Sequence, residues 1–455
     1  MRAFARQMTE RMKAVAAGGA VAAFWLAVWV FAAALVAQPL ILPGPGTVAV
    51  ALLRLVCDAG TWAILVGSGA RILGGLALAA VCGGVLAGIS SRSRAFARLV
   101  APALSFVKAT PVACVVVLLL IWLGSARVSI AAVFLMALPG VYFSLVEGLA
   151  QVNKPLEQMF RLHGVRGWRL FCAHTWREVL PFVLSCAQAV IGMSWKAGVA
   201  AELIGMAVGT VGECIYQAKL LIETADLLAW TVLVVAASWT CERVLVWLLR
   251  ASGPVAWRAA VRSHGRGLHG SAGAADVAEL ALAVGDRAPW APALDGLVLN
   301  VPAGGRACVM GASGAGKTTL LALAAGECAP CSMMFQDARL VEDASALDNV
   351  LVCADARVDA SSAAALLRLL VPGIDVHACT AELSGGQRRR VEIARALLCP
   401  GGAVILDEPF TGLDVAARDA TAEVVLDLLD GRTLLFATHD ASDAQALDIS
   451  DIITL

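Results

Sequence analysis

Gly311-Ala312-Ser313-Gly314-Ala315-Gly316-Lys317-Thr318 combines three glycines with a lysine and a hydroxyl side chain. Such a run lets backbone N–H groups wrap phosphate oxygens, and a following helix N-terminus adds aligned donors. Here it follows the apolar stretch Ala307–Met310 and opens a helix-forming stretch, Thr319–Ala325, the strand–loop–helix context a phosphate cradle requires. A ligand-free glycine turn would not need that context. Lys317 is placed to neutralise β- and γ-phosphates and Thr318 to ligate Mg²⁺, with Ser313 and Thr319 beside them. A second apolar run, Ala403–Leu406, ends in Asp407-Glu408. A carboxylate at such a strand end can hold Mg²⁺, and Glu408 is placed to polarise an attacking water. The chemistry these residues could do is hydrolysis of a nucleoside triphosphate.

Four further runs stand in order around these two: Phe335-Gln336-Asp337, Leu383-Ser384-Gly385-Gly386-Gln387, Gly412-Leu413-Asp414 and Thr438-His439-Asp440. With the cradle and the Asp407 strand they resemble the ATPase domains of ABC transporters. The resemblance implies ATP and Mg²⁺ as cofactors. Gln336 is then the Q-loop glutamine that senses Mg²⁺ and water, Asp414 belongs to the D-loop, and His439 contacts the γ-phosphate. The LSGGQ signature would face ATP held by an opposite subunit through Ser384 and Gly386. One chain holds a cradle but not the opposing signature, so a homodimer is expected. Nineteen positions separate Lys317 from Gln336, a short interval that implies an abridged strand hairpin. Val284 stands where an adenine-stacking aromatic is expected, with Trp290 the nearest substitute. No regulatory domain is expected after Leu455.

These motifs all lie in the second half. The first half holds most of the apolar excess in a chain that is 59% hydrophobic and 15% charged. Six runs are long enough to span a bilayer: Ala14–Ala37, Trp62–Ile89, Leu99–Leu123, Val128–Val146, Val179–Ile204 and Leu227–Leu249. The first is too long for a signal peptide and is followed by five more. With the N-terminus inside, the inner segments carry twelve Lys and Arg, among them Arg92, Arg94, Arg98, Arg161, Arg166 and Arg169. The outer segments carry three: Arg54, Arg127 and Lys219. That imbalance sets the orientation and leaves the second half on the cytoplasmic side of the membrane. Zero formal net charge gives no sign of a nucleic-acid partner.

The inner loop Gln151–Leu180 is amphipathic, with Met159, Phe160, Leu162, Val165 and Trp168 among its basic residues. It could lie on the membrane surface or plug into another domain. Glu157-Gln158-Met159, Gly164, Phe171 and Val179-Leu180-Pro181 resemble the EAA loop, the coupling helix of ABC importer permeases. Aligned on Gly164, however, Gln158 replaces the usual Glu and Arg177 a first Pro. Other runs are similar to permeases of the nitrate/sulfonate/taurine family, which includes importers of thiamine precursors. They are Leu42-Pro43-Gly44-Pro45, Ala109-Thr110-Pro111-Val112-Ala113, Ile121-Trp122-Leu123-Gly124 and Ser194-Trp195-Lys196 through Ala201-Glu202-Leu203-Ile204-Gly205. The resemblance implies import of a small polar or anionic solute with an external substrate-binding protein. An exporter and a membrane-anchored ATP switch are the alternatives.

Arg71, Lys108, Lys196 and Glu202 fall in or near spans, where ionisable groups either pair internally or line a pathway. Of the thirteen cysteines, those in apolar runs (Cys82, Cys114, Cys186, Cys241) read as small hydrophobes. Cys328-x-x-Cys331 lacks the second pair a zinc site needs. The expected architecture is an all-α transmembrane permease of about six helices (1–250), a flexible linker (251–276) and an α/β P-loop ATPase of the ABC type (277–455).

Overall fold

A computed structural model describes residues 2–263, 279–283, 294, 296–328 and 331–455, with side chains described from Gly19 onward. His264 and His269 of the expected linker, together with Val284 and Trp290, lie outside the described residues. The chain divides into two units. The first comprises Met1–Ala150 and Val179–Arg250, and the second Gln151–Glu178 and Ala251–Leu455.

The chain begins with helices α1 (Arg2–Val36), α2 (Pro45–Cys57), α3 (Ala59–Arg92), α4 (Arg94–Ala109), α5 (Val112–Leu123) and α6 (Ser125–Ala150). Next come α7 (Lys154–Leu162), α8 (Gly167–Leu170) with a π-helical turn (Phe171–Thr175), α9 (Trp176–Gly205), α10 (Val211–Leu220) and α11 (Thr224–Arg262). Among the described residues five helices, α8 with α9 counted as one, are long and apolar enough to cross a membrane. The count is six if α4 and α5 form one broken span. The expected single span Leu99–Leu123 is therefore corrected: α4 and α5 meet at 103°. Pro111 has no N–H to continue the helix and disfavours helical backbone at the residue before it, so Thr110 is extended at φ −76°, ψ 129°.

Small residues hold this unit together. Gly75, Ala79, Gly83 and Ala87 recur every fourth position along one buried face of α3. A Cβ on Gly75 would lie 2.5 Å from the Ile130 carbonyl oxygen of α6, and one on Gly83 2.8 Å from Val141. Without a hydrophobic force between helices in lipid, such close backbone approach supplies the packing.

In the second unit β1 (Leu280–Ala283) pairs antiparallel with β2 (Val298–Val301). The main elements follow in the order β3 (Arg306–Met310), α12 (Lys317–Glu327), β4 (Ser332–Met334), α13 (Ala346–Leu351), α14 (Ala360–Leu370), α15 (Gly385–Leu398), β5 (Ala403–Asp407), α16 (Val415–Leu428), β6 (Thr433–Thr438), α17 (Ala441–Ala446) and β7 (Asp451–Thr454). Five strands form a parallel sheet in the order β4-β5-β6-β3-β7. β5 and β6 are buried at every position, as an apolar strand covered on both faces must be. Neighbouring strands β4, β5, β6 and β3 thus deliver Gln336, Asp407-Glu408, His439 and the glycine run to one edge, the carboxyl edge where open α/β sheets bind ligands.

The second unit also differs from the expected boundaries. Residues 251–262 continue α11 as helix where a flexible linker was expected, because Trp257 and Ala260 are buried in the second unit's core. The amphipathic loop belongs to this unit too.

Candidate active site

Gly314 and Gly316 take φ of +85° and +99°, a left-handed backbone that only glycine adopts freely. They turn the loop so that α12 starts at Lys317. The Lys317 ammonium donates to the carbonyls of Gly311 (2.7 Å) and Ala312 (3.1 Å) and lies 3.8 Å from Glu408. Thr318 donates its hydroxyl to Asp407 Oδ2 at 2.7 Å, while Asp407 Oδ1 is buried with no hydrogen bond. Burial pushes the Asp407 carboxyl up, and the Thr318 bond opposes that shift.

Glu408 sits at φ +49°, an uncommon backbone for a side chain larger than glycine and one that costs about 1–3 kcal/mol. Its N–H donates to the Ala437 carbonyl at 2.9 Å, which fixes that turn. The carboxylate lies 3.4 Å from His439 Nδ1 and accepts from Thr411 at 3.3 Å. The side chains of Glu408 and His439, thirty-one positions apart, therefore converge beside Lys317. Gln336 is brought to the same strand edge, but its side chain is exposed and makes no hydrogen bond among the described residues.

The signature turn has a local cause. Ser384 caps α15 by accepting from the Gln387 N–H, and the Gln387 side chain accepts from the Ser384 N–H at 2.9 Å. This reciprocal capping box explains the hydroxyl and amide at that spacing. Ser384 and Gly385 are exposed, and a Cβ on Gly386 would lie 3.2 Å from Leu413. Asp414 caps α16 through the Ala417 N–H at 2.8 Å.

The segment 151–178 forms part of the second unit's core. α7 buries Leu156, Met159 and Phe160 there, and Val165 follows. Gly164, at φ +76°, ends α7: its N–H donates to Arg161, and the Val165 N–H reaches back to Phe160 at 2.8 Å. That paired pattern requires a left-handed residue, hence glycine. The polar contacts of this segment with the rest of its unit do not come from the two polar residues of the EAA-like run: Glu157 pairs with Arg161 on its own helix, and Gln158 is exposed.

Residues that sequence reasoning missed make those contacts instead. His163 Nε2 lies 3.0 Å from the Met333 carbonyl and 3.2 Å from the Met333 N–H, on the strand leading to Gln336. Burial, reinforced by the nearby Arg395 charge, holds this imidazole down at about 3, so it stays neutral. Arg169 donates to the Val352 carbonyl at 2.6 Å, and Arg339 to the Pro155 carbonyl at 3.0 Å. The only signal in the sequence was the apolar spacing of the loop.

In the membrane unit Glu202 is fully buried. It accepts from Ser68 at 2.9 Å and the Gly212 N–H at 3.4 Å, and lies 3.4 Å from Arg71. Its charge is met internally, as a buried carboxylate's must be. Lys108 and Lys196 are exposed and form no ion pair among the described residues.

Comparison with known proteins decides the family. The model of the binding-protein-dependent transport system inner membrane component matches residues 80–255, and the ABC transporter model matches residues 294–411. An aliphatic sulfonates import ATP-binding protein of Paracoccus denitrificans is 35% identical over 185 residues, spanning 38% of this chain and 75% of that protein. This chain belongs to the ABC transporter family. An aliphatic sulfonates import ATP-binding protein of Escherichia coli is 37% identical over 176 residues, 34% of this chain and 68% of that protein. Among solved structures, a dimeric ATP-binding cassette bound to ADP and Pi aligns at 23% identity and a TM-score of 0.33, covering 40% of this chain and 93% of that one. The ABC transporter is therefore a multi-pass membrane protein in which a permease is fused to an ATP-hydrolysing domain.

Proposed function

We propose that two copies of this chain form one importer for a small anionic solute of the sulfonate type, delivered by an external substrate-binding protein and driven by ATP. What carries the reading is that a binding-protein-dependent permease and an ATPase occupy one polypeptide, each present once. The sulfonate-import names of the relatives supply the solute class. The permease match favours import over export, and the complete hydrolytic set disfavours an ATP switch without transport. Ser384 and Gly385, exposed at the start of α15, are free to meet a second copy's nucleotide.

In this scheme the glycine run and Lys317 hold the triphosphate, Glu408 draws a proton from the attacking water, and His439 orients Glu408. The unpartnered, buried Asp407 Oδ1 beside the Thr318 hydroxyl fits Mg²⁺. Thr318, Asp407 and Gln336 would hold the ion, which neutralises phosphate charge. Closure of the paired ATPase domains passes to the permease through Gln336 and segment 151–178. Glu202, satisfied by Arg71 and Ser68, leaves Lys108 and Lys196 as the groups able to meet an anion on its path.

The test is ATP-dependent accumulation of an aliphatic sulfonate by the full chain in liposomes with its binding protein. Full-rate hydrolysis by a monomer refutes the dimer, and accumulation without a binding protein refutes the delivery step. Lys196→Met should lower uptake while basal hydrolysis persists; unchanged uptake removes Lys196 from the pathway.

A further inference from the structure

Arg389, the fifth residue of α15, is 7% exposed and spends its guanidinium on four backbone carbonyls. Nη1 donates to Phe335 and Gln336, each at 2.8 Å. Nη2 donates to Asp407 at 2.7 Å and Glu408 at 2.6 Å. These carbonyls belong to two separate chain segments, the one that carries the Q-loop glutamine and the one that carries the catalytic carboxylate. Only a planar fork with donors on two sides can bridge them; an ammonium is a point donor on a flexible stem.

Burying this cation would be costly without compensation. Glu392, fully buried, lies 3.8 Å from Arg389 and 3.4 Å from Arg395, and accepts the Arg339 N–H at 2.6 Å. The Arg339 guanidinium covers the Phe335 ring at 3.5 Å. The clamp is thus set in a connected polar network rather than left as an isolated charge.

We propose that Arg389 is a positioning residue for hydrolysis, locking the backbone of Gln336 to that of Asp407 and Glu408 and fastening both to the signature helix. Glu408 holds an unfavourable backbone conformation, and its own N–H bond to Ala437 fixes only one side of that turn. Arg389 fixes the other through the Glu408 carbonyl. Because α15 begins at Ser384, a displacement of the signature turn is carried to the base of the same chain. In the proposed homodimer, a reading on which this last consequence rests, that links the two ATP sites.

The test uses the full chain in lipid nanodiscs, measuring ATP turnover against ATP concentration and equilibrium ATP binding for R389A, R389K and E408Q. A displacement of the catalytic groups on the order of 1 Å corresponds to a loss of about 10²-fold, so R389A and R389K should lose turnover on that scale. ATP binding and KM should stay within about twofold, a range worth under 1 kcal/mol. Free guanidinium at millimolar concentration should restore part of the R389A turnover but none in R389K, whose side chain fills the site. If R389A does not assemble, R389K, which keeps a cation beside Glu392, is read alone. Full turnover in R389K overturns the proposal, as does a loss of ATP binding in proportion to turnover. Wild-type turnover by E408Q would remove the catalytic assignment of Glu408 itself, a different failure from that of Arg389.

Discussion

Two buried carboxylates, Asp407 in the ATPase and Glu202 in the permease, each face a hydroxyl and lie near a cation. They differ in what is left over. Both oxygens of Glu202 are engaged, by Arg71 on one side and by Ser68 and the Gly212 N–H on the other. Asp407 uses Oδ2 on Thr318 and leaves Oδ1 buried and unbonded. Folding rarely leaves such an atom without a reason, since an orphaned buried acceptor costs about 1–3 kcal/mol. The satisfied carboxylate of Glu202 holds its helices together, whereas Asp407 Oδ1, at a strand end beside the Thr318 hydroxyl and Lys317, keeps coordination capacity at the edge where a phosphate ligand would bind.

The strongest way to sharpen that contrast is Glu408→Gln, next to Asp407. Loss of a general base lowers hydrolysis by about 10²–10⁴-fold. Phosphate release should fall on that scale while ATP binding persists and the proposed dimer is trapped closed; steady turnover would disconnect this edge of the sheet from catalysis. Next is Glu202→Leu, which strands Arg71 and should destabilise the membrane unit by about 3–5 kcal/mol. Thermal unfolding in detergent reads this, and Arg71→Leu in the same chain should recover much of the loss. If Glu202→Leu left stability intact but abolished uptake, Glu202 would be a pathway group and the comparison would break.

A smaller effect comes from His163. Its folded value of about 3 lies below the ordinary 6.5, so the unfolded chain binds the extra proton between them. Stability is therefore full above pH 6.5 and falls as pH drops toward 3, by at most about 1.4 kcal/mol per pH unit. Melting temperatures of the full chain from pH 7.5 to 5 should show this slope, and His163→Gln should flatten it. An equal slope in both proteins would take His163 out of the docking contact.

The nucleotide site could be read from the sequence because its chemistry is local. A phosphate cradle needs glycines, a lysine and a hydroxyl in one run, and the signature serine and glutamine cap their own helix three positions apart. The alternative readings of Glu202 could not be resolved that way, since its partner Arg71 is 131 positions distant. The apolar face of segment 151–178 was visible from its spacing, but the polar bonds that tie it to the rest of its unit were not, since Met333 and Val352 lie 170 and 183 positions from His163 and Arg169.

By itself the sequence determined that an apolar helical half precedes an α/β ATPase half of the ABC type, and where most of the apolar helices lie, because hydropathy, charge placement and short motifs act over neighbouring residues. Tertiary structure alone decided that His163 and Arg169 hold segment 151–178 across separations of 170 and 183 residues, and that Arg389 bridges the backbone following β4 to that at the end of β5. Each of those depends on which backbone carbonyls and N–H groups folding brings within bonding distance, and nothing in a side chain's neighbours along the chain encodes that.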